Sequence, residues 1–396
     1  MKKYILPKGF VANGIHCGAK RKRKDLALFY SESICKIAAV FTKNVVKAAP
    51  VIVAQENLGK NSFAHAVVVN SGNANCMTGK QGIKDAKRMV IKISKLLKIP
   101  EETVLVSSTG IIGQQMNMKP VLSGMKPLVE GLSKNGLSDA ADGILTTDRF
   151  QKVISRSFKL DGKKITITGV AKGAGMIHPD MATMLCYIFT DANITKKATK
   201  KMLKISTESA FNAITVDGDM STNDTVMFLA NGETGNKAIV EGTKNFKVFQ
   251  KHLNALSKEL AGMIVLDGEG AHKFISIKIK GAAKKSDAQK IAKTIAGSML
   301  VKCACLGGDP NWGRIASAAG ASGVNFDQEK LDIKLDGVTF LKSGKSKTGI
   351  DRKKSSVFKG KNIKIEVNLH QGKSEASAYT CDISKKYITL NAYYTT

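Results

Sequence analysis

The sequence predicts a layered fold of mixed composition, an α/β (α+β) architecture in which helices cover the sheets. Apolar residues recur at every third or fourth position in some segments, as in amphipathic helices. In other segments they recur at every second position, as in half-buried strands. A hydrophobic content of 43% over 396 residues is sufficient to bury one large core or the cores of two ordinary domains.

Three helices are predicted from the three-to-four spacing. The first covers 83–97 and ends before Pro100, because proline cannot continue a helix. The other two cover 249–260 and 288–299. Ser286 stands where the N-cap of the last helix is expected.

Strands are predicted from two further patterns. Isoleucine or valine alternates with polar residues at 275–279 and at 363–367, which predicts strands with one buried face. The continuous apolar run 184–189 predicts a strand buried on both faces. A shorter apolar run at 66–69 predicts another strand, and we expect the polar segment 70–75 that follows it to be a loop.

The chain is strongly basic, with 62 Lys and Arg against 32 Asp and Glu and a formal net charge of +30. Such a charge is typical of RNA-binding proteins, but also of solvated surfaces and of enzymes that attract small acidic substrates. The lysines are dense only at 20–24 and 342–361, and we expect these to be solvated surface. Because only 6% of residues are aromatic and no nucleic-acid motif accompanies the charge, no nucleic-acid partner is expected.

The cysteines and the hydropathy pattern bear on location and metal binding. Seven scattered cysteines do not suggest a disulfide framework, and reduced thiols fit a cytoplasmic protein. Cys303 and Cys305 lack the second pair of ligands that a zinc site needs, so no metal is expected. No run of about 18 apolar residues is present, which predicts no membrane span and no membrane partner.

The glycine-rich segment from Lys172 to Thr183 is the most informative stretch of the chain. It has the sequence KGAGMIHPDMAT and leads directly into the apolar run 184–189. A phosphate-binding loop is excluded because the G-x-x-x-x-G-K-[ST] spacing is absent and a strand, rather than a helix, is predicted to follow. A dinucleotide-binding loop is excluded for the same reason.

Cleavage of the bond between Ala182 and Thr183 would give this segment groups that can act in catalysis. It would leave a hydroxyl and a primary amine on one residue. An α-amino group has a pKa of about 7.7–8.0 and can take the hydroxyl proton, which makes the threonine nucleophilic. One residue would then supply nucleophile and base. The alternative is an ordinary threonine in a glycine-rich turn, which the composition alone favours.

The segment Lys172–Leu185 resembles the self-cleavage motif of the bifunctional ornithine acetyltransferases of arginine biosynthesis, also called glutamate N-acetyltransferases. Other segments resemble the same family, and they occur in the family's order from end to end of the chain. They are Pro7–Phe10, Ala39–Thr42, Val69–Asn75, Ser107–Gly113, Thr146–Asp148, Thr215–Asp224, Asp267–Ala271 and Asp309–Arg314. An ordered set of this kind is far more specific than any single motif.

The resemblance implies a fold and an organisation. The fold is of the self-cleaving N-terminal-nucleophile type, like that of the ornithine acetyltransferases and the related aminopeptidases. Cleavage would give an alpha chain, 1–182, with the oxyanion hole and the cleavage loop, and a beta chain, 183–396, that starts at the nucleophile Thr183. The family expectation for the assembly is a heterotetramer of two alpha and two beta chains.

The resemblance also implies the catalytic residues. Thr183 is the nucleophile, and Thr109 and Gly110 form the oxyanion hole, where a hydroxyl and a backbone N–H donate to the tetrahedral intermediate. The alternative for the segment 107–113 is a polar turn after a strand at 104–106.

Substrate contacts are implied for six residues. N-acetylornithine carries a carboxylate and an ammonium, so its site needs a cation and an anion. Lys172 supplies the cation and Glu269 supplies the anion. Tyr393 and Thr395 stand where the family usually has an acidic and a basic residue. The implied substrate-binding residues are Thr146, Lys172, Thr183, Glu269, Asn391 and Thr396.

Two further groups near the motif are expected to be structural. His178 lies shortly before Thr183 and is predicted to be a loop histidine. Asp217, Asp219 and Asp224 lack the spacing of an EF-hand calcium loop, so we expect them to accept hydrogen bonds from a turn.

These assignments predict a ping-pong reaction. Thr183 Oγ attacks the Ala182 carbonyl, and water resolves the resulting ester into two chains. The mature Thr183 then takes the acetyl group from N-acetylornithine, releases ornithine and passes the acetyl group to glutamate, which gives N-acetylglutamate. No metal or bound cofactor is expected. Some members of the family also accept acetyl-CoA as the acetyl donor, and the sequence leaves this second donor open.

Two other functions are weighed against this one. Self-cleaving aminopeptidases of the same fold hydrolyse peptides and usually have a serine nucleophile, so Thr183 favours the acetyltransferase. An RNA-binding protein without enzymatic activity would account for the charge of +30, and its binding would depend steeply on salt.

Overall fold

The computed structural model describes residues 4–178, 184–347 and 356–393. The strands in these ranges are β1 (Phe10–Ile15), β2 (Leu26–Phe41), β3 (Phe63–Asn73), β4 (Val104–Ile111), β5 (Lys152–Leu160), β6 (Lys163–Lys172), β7 (Leu185–Thr190), β8 (Thr225–Ala230), β9 (Phe274–Ala282), β10 (Asp332–Leu335), β11 (Val338–Lys342), β12 (Lys345–Ser346), β13 (Asn362–Asn368) and β14 (Ser374–Cys381). The helices are α1 (Ala49–Lys60), α2 (Gly79–Leu97), α3 (Met118–Glu130), α4 (Leu137–Gly143), α5 (Lys196–Ser209), α6 (Lys244–Leu266), α7 (Lys285–Gly297), α8 (Met299–Gly307), α9 (Trp312–Gly320) and α10 (Lys385–Tyr393).

The larger sheet has the strand order β4-β3-β2-β8-β7-β6-β5, with β1 also paired to β2. Residues 26–30 of β2 pair with β1 and β3, whereas residues 36–41 pair with β8, and the pairing with β3 is irregular between the two stretches. The ring of Phe189 in β7 lies 5.2 Å from that of Phe10 in β1 and 5.1 Å from that of Phe29 in β2. The sheet is therefore folded over at β2, and its two halves pack face to face.

Helices cover the outer faces of this folded sheet. The apolar residues of α2 and α3 join the outer core of β2, β3 and β4, and those of α5 and α6 join the outer core of β6, β7 and β8. The helices predicted at 83–97 and 249–260 are α2 and the middle of α6, with their apolar stripes buried. The helix–sheet–sheet–helix arrangement confirms the layered α/β prediction.

Strand β7 is buried on both faces, as its continuous apolar sequence predicts. Cys186 and Ile188 belong to the core under α5 and α6, whereas Leu185, Tyr187 and Phe189 belong to the core between the two halves of the sheet. Strand β7 pairs in parallel with β8 and antiparallel with β6, so hydrogen bonds hold both of its edges.

The smaller sheet has the order β12-β11-β10-β13-β9-β14, and α7, α8 and α9 share its apolar core. Ile275, Ile277 and Ile279 are buried and alternate with less buried residues along β9, as predicted. The strand predicted at 363–367 is β13, which pairs in parallel with β9.

The N-cap prediction for Ser286 is wrong. The N-cap of α7 is Lys284, so Ser286 lies inside the helix. The predicted helix 288–299 also ends earlier, because Ser298 caps a new helix, α8, by accepting a hydrogen bond from the Val301 backbone N–H.

The loop predicted at 70–75 is also partly wrong. Strand β3 continues through Asn73, because its polar residues keep pairing in parallel with β4 as far as Gly72 opposite Gly110. The polar side chains therefore lie at the end of a strand, at one edge of the cavity described below. Separately, no helix within the described ranges is long and apolar enough to cross a membrane.

We predict that Gly14→Ala lowers the free energy of unfolding by about 1–3 kcal/mol, because overpacking costs this much in a close-packed site. A Cβ at Gly14 would lie 2.0 Å from the backbone oxygen of Asp139 in α4. The matched control is Gly262→Ala inside α6, where a Cβ meets nothing within 4 Å. It is expected to raise stability by about 0.5–1 kcal/mol, as alanine does in a helix. Urea denaturation measures the free energy of unfolding of both variants. Equal stability of the two would contradict the close packing of Gly14 against α4.

Candidate active site

A cavity of about 830 Å³ lies where strands β3, β4 and β6 end and β7 begins. Ile177 and Met184 line it, so the chain reaches the cavity on both sides of residues 179–183. Ala182, Thr183 and Thr396 lie outside the described residues. All the other site residues predicted from the sequence line this one cavity: Thr109, Gly110, Thr146, Lys172, Glu269 and Asn391.

Lys172 is a buried cation at the centre of the site. It is the last residue of β6, and its Nζ donates to Thr109 Oγ1 at 3.1 Å and to Thr146 Oγ1 at 2.8 Å. Burial lowers the pKa of this ammonium, and the nearby carboxylate of Asp148 opposes that shift. One side chain thus connects the end of β4 with the loop that carries Thr146.

Gly110 occupies a position that only glycine fits. Its φ is +134°, and a Cβ there would lie 2.3 Å from the backbone carbon of Gly72 in β3. The alternative interpretation of 107–113, a polar turn after a strand that ends at residue 106, is wrong. Strand β4 continues through Ile111. The parallel pairing with β3 extends the strand into this polar segment.

Glu269 supplies the carboxylate of the site. Its Oε2 accepts a hydrogen bond of 2.9 Å from Asn391 Nδ2. Its backbone N–H donates to the oxygen of Ala174, and a Cβ at Gly175 would lie 2.6 Å from its carboxyl carbon. The glycine-rich loop therefore lies directly against Glu269, and Asn391 reaches the cavity from α10.

Three buried charged groups hold the loops of the cavity together, and no pattern in the sequence points to them. Lys152 Nζ donates to Asp148 Oδ1 at 2.7 Å and also to Asp267 Oδ2, and all three side chains are fully buried. Asp148 also accepts hydrogen bonds from the backbone N–H groups of Thr146 and Gly173. Because Asp267 lies two residues before Glu269, this cluster ties the loops that carry Thr146, Lys172 and Glu269.

The other groups singled out from the sequence have varied surroundings. Asp217 accepts hydrogen bonds from the backbone N–H groups of Met176 and Ile177, so it holds the glycine-rich loop. His178, which lies outside the helices and strands, contacts Thr215 Oγ1 through Nδ1 at 3.1 Å. Asp224 lines the cavity, and burial raises the pKa of its carboxyl well above the usual range.

The basic run at 20–24 is exposed at Arg21, Lys22 and Arg23, as its composition predicts, but it also borders the cavity. Lys20, Arg21, Lys22 and Arg23 line the cavity. The buried carboxylate of Asp25 accepts hydrogen bonds from the backbone N–H groups of the preceding loop, including that of Lys20, and this folds the run back over the site. No pattern in the sequence shows that the acid after a basic run will hold that run beside a cavity.

The described parts of the chain contain no group of three His, Cys, Asp or Glu side chains arranged to hold a metal ion. All seven cysteines are free thiols, and of the C-x-C pair Cys303 is exposed while Cys305 is buried.

The comparisons with known proteins point to one family. The model of the ArgJ family matches residues 11–396. The arginine biosynthesis bifunctional protein ArgJ of Caldanaerobacter subterraneus subsp. tengcongensis is 48% identical, over 100% of this chain and 98% of the relative. The protein of the same description from Thermotoga neapolitana is 47% identical, over 99% of this chain and 100% of the relative. The chain belongs to the ArgJ family.

A solved structure extends the comparison to the fold. The crystal structure of the arginine biosynthesis bifunctional protein ArgJ from Bacillus halodurans matches with a TM-score of 0.51 and 39% identity. The match covers 52% of this chain and 98% of that chain. Membership in the ArgJ family confirms the predicted family and the predicted function, acetyl transfer by a bifunctional enzyme of arginine biosynthesis.

We predict that Lys152→Met lowers the free energy of unfolding by about 3–5 kcal/mol, because it removes the buried cation between Asp148 and Asp267 and leaves Asp267 paired only with the half-exposed Arg149 among the described residues. The matched control is Lys278→Met in β9. Lys278 pairs with Glu375 at 3.0 Å, but both side chains are exposed. Its loss is expected to cost about 1 kcal/mol or less. Urea denaturation of the full-length chain measures both variants. Equal losses would show that the buried cluster does not stabilise the fold.

Proposed function

We propose that this ArgJ-family chain transfers the acetyl group of N-acetylornithine to glutamate through an acetyl ester on Thr183. The observation that carries the proposal is the convergence of Thr109, Gly110, Lys172 and Glu269 on one cavity. That cavity borders Ile177 and Met184, between which the proposed nucleophile lies in the chain. The site thus offers a cation, a carboxylate and two hydrogen-bond donors beside the proposed nucleophile.

The hydrogen bonds around Thr109 support its role in an oxyanion hole. The Thr109 hydroxyl oxygen accepts from the Lys172 ammonium, so the hydroxyl proton remains available for a second oxygen. Gly110 brings its backbone beside Thr109 without a side chain in the way. A hydroxyl and a backbone N–H placed before the reaction begins stabilise a developing oxyanion at little cost in reorganisation.

The charges in the cavity fit the two ends of N-acetylornithine. Lys172 is buried and donates to two hydroxyls, which leaves one ammonium proton for a substrate carboxylate or carbonyl. Glu269 accepts a hydrogen bond from Asn391, and its other oxygen suits a substrate ammonium. These assignments make Thr146, Lys172, Glu269 and Asn391 substrate-binding residues, with Thr183 and Thr396 expected to complete the set.

Self-cleavage before Thr183 is compatible with a stable two-chain enzyme. The proposed alpha chain, 1–182, contributes β1 to β6 to the larger sheet, and the proposed beta chain, 183–396, contributes β7 and β8 between β2 and β6. The cut chains would therefore stay joined by hydrogen bonds on both edges of the β7–β8 pair. The Bacillus halodurans chain corresponds to 52% of this chain, about the length expected of one product. We propose a heterotetramer of two such pairs.

The reaction then proceeds by two acyl transfers at Thr183. The free α-amine takes the proton from Oγ, Oγ attacks the acetyl carbonyl of N-acetylornithine, and the carbon–nitrogen bond breaks as the proton passes to the departing ornithine amine. The amine of glutamate then attacks the acetyl ester, gives up its proton and leaves as N-acetylglutamate. The enzyme's own residues supply these steps, with no resident cofactor, and acetyl-CoA remains a proposed second donor. Seven free thiols are consistent with a cytoplasmic enzyme.

Mass spectrometry of the purified protein tests the proposal. The wild type is expected to give two polypeptides, one of which starts at Thr183, and Thr183→Ala is expected to give one full-length chain without acetyl exchange. Activity of an uncleaved wild type would contradict maturation by cleavage. Release of amino acids from peptides without an acetyl acceptor would instead indicate the aminopeptidase.

We predict that Thr109→Val lowers kcat by about 10²–10³-fold, the usual loss for one oxyanion-hole donor. Valine keeps the shape and removes the hydroxyl. The matched control is Thr294→Val in α7, which removes a hydroxyl bound to the Lys290 carbonyl far from the cavity lining. Steady-state kinetics of the cleaved enzymes measure both. A Thr109→Val enzyme with the activity of the control would exclude the oxyanion role.

A further inference from the structure

Four consecutive cationic side chains, Lys20 to Arg23, line the proposed acetyl-transfer cavity as one loop, here called the basic loop. Two of them fix its position. Lys20 Nζ donates to the carbonyl oxygens of Lys24 and Leu145, and the Arg23 guanidinium donates to the carbonyl oxygens of Thr146 and Asp148. The loop is therefore bound to the segment that carries the substrate-binding Thr146.

The charge of the basic loop is not neutralised. Among the described residues, no carboxylate lies within salt-bridge distance of the four side chains, whereas the next residue, Lys24, pairs with Asp139. Arg21 and Lys22 are exposed on the cavity lining. Lys172 adds a fifth cation to the lining, and the carboxyl groups that the described residues contribute to it are those of Glu269 and Asp224. With five cations against two carboxyl groups, the described part of the lining has an excess of positive charge.

Part of this excess acts on the Lys20 ammonium. Burial is the largest cause that lowers its pKa to about 8, the Asp25 carboxylate opposes the shift, and repulsion from Lys172 and Arg23 adds to it. A bound anion would relieve this repulsion. The electrostatics of the loop therefore favour a ligand with a negatively charged group.

The two amino-acid substrates differ at one end. Both carry an α-carboxylate, but the side chain of ornithine ends in an ammonium and that of glutamate ends in a carboxylate. Glu269 suits the ammonium and repels the carboxylate. The second half of the reaction therefore needs positive charge that the first half does not use.

We propose that the basic loop is the subsite for the side-chain carboxylate of glutamate, the acetyl acceptor. The inference rests on the proposed function and names residues that select the second substrate. Arg21 and Lys22 are the contacts, because their side chains make no hydrogen bond or ion pair within the described ranges, while Lys20 and Arg23 hold the loop.

The test is the double variant Arg21→Gln, Lys22→Gln in the full-length, cleaved enzyme. Its KM for glutamate is expected to rise about five- to tenfold, as the loss of two exposed charge contacts implies. Its KM for N-acetylornithine is expected to change less than twofold. Added salt should raise the KM for glutamate of the wild type more than that of the variant, because salt screens the lost attraction.

The matched control is Lys84→Gln, Lys92→Gln on the exposed side of α2, which removes the same charge away from the cavity lining. Three results would overturn the proposal. They are a KM for glutamate equal to that of the control, an equal rise of KM for both substrates, and a rise confined to acetyl-CoA, whose phosphates are the other source of negative charge. Failure of the wild type to exchange acetyl groups would instead overturn the proposed function.

Discussion

The ammonium of Lys152 lies in the interior with carboxylates from two distant parts of the chain, Asp148 and Asp267. An unpaired charge in this position would be very unfavourable, so the three groups are kept together by the cost of separating them. Asp148 orients the loop of Thr146 and the backbone after Lys172, and Asp267 precedes Glu269. This one buried cluster therefore positions both Lys172 and Glu269, the cation and the carboxylate proposed to bind the substrate.

The same constraint explains how a cut in the chain can leave an ordered site. The loops are held by contacts between distant segments rather than by continuity of the chain near residues 179–183. Strand β7, which starts at Leu185, is paired on both edges and buried on both faces. The sheet therefore fixes the chain from Leu185 onward, two residues after the proposed nucleophile.

Much of the architecture could be predicted because it follows from short-range patterns of apolar residues in the sequence. The alternation at Ile275, Ile277 and Ile279 and the spacing along α2 correspond to buried faces. Ser286 failed as an N-cap because the apolar spacing does not fix a helix boundary to within one or two residues, and the N-cap of α7 is Lys284. The site residues could be named only through the ordered family segments, since Thr109, Lys172 and Glu269 are far apart in the chain.

The basic loop and the Lys152 cluster could not be predicted. A lysine in a strand and a run of basic residues are both ordinary on a surface, and only the tertiary structure shows that one is buried and the other lines the cavity. Their partners, Asp267 for Lys152 and Leu145 for Lys20, lie more than a hundred residues away. Long-range pairs of this kind leave no periodic signal.

In the proposed reaction, Thr183 carries the acetyl group between the two substrates. The most direct test is the intact mass of the two chains after brief mixing with N-acetylornithine in the absence of glutamate. We expect one added acetyl group on the chain that starts at Thr183, and its loss when glutamate is added. Full activity with no acetylated chain at any mixing time would contradict it.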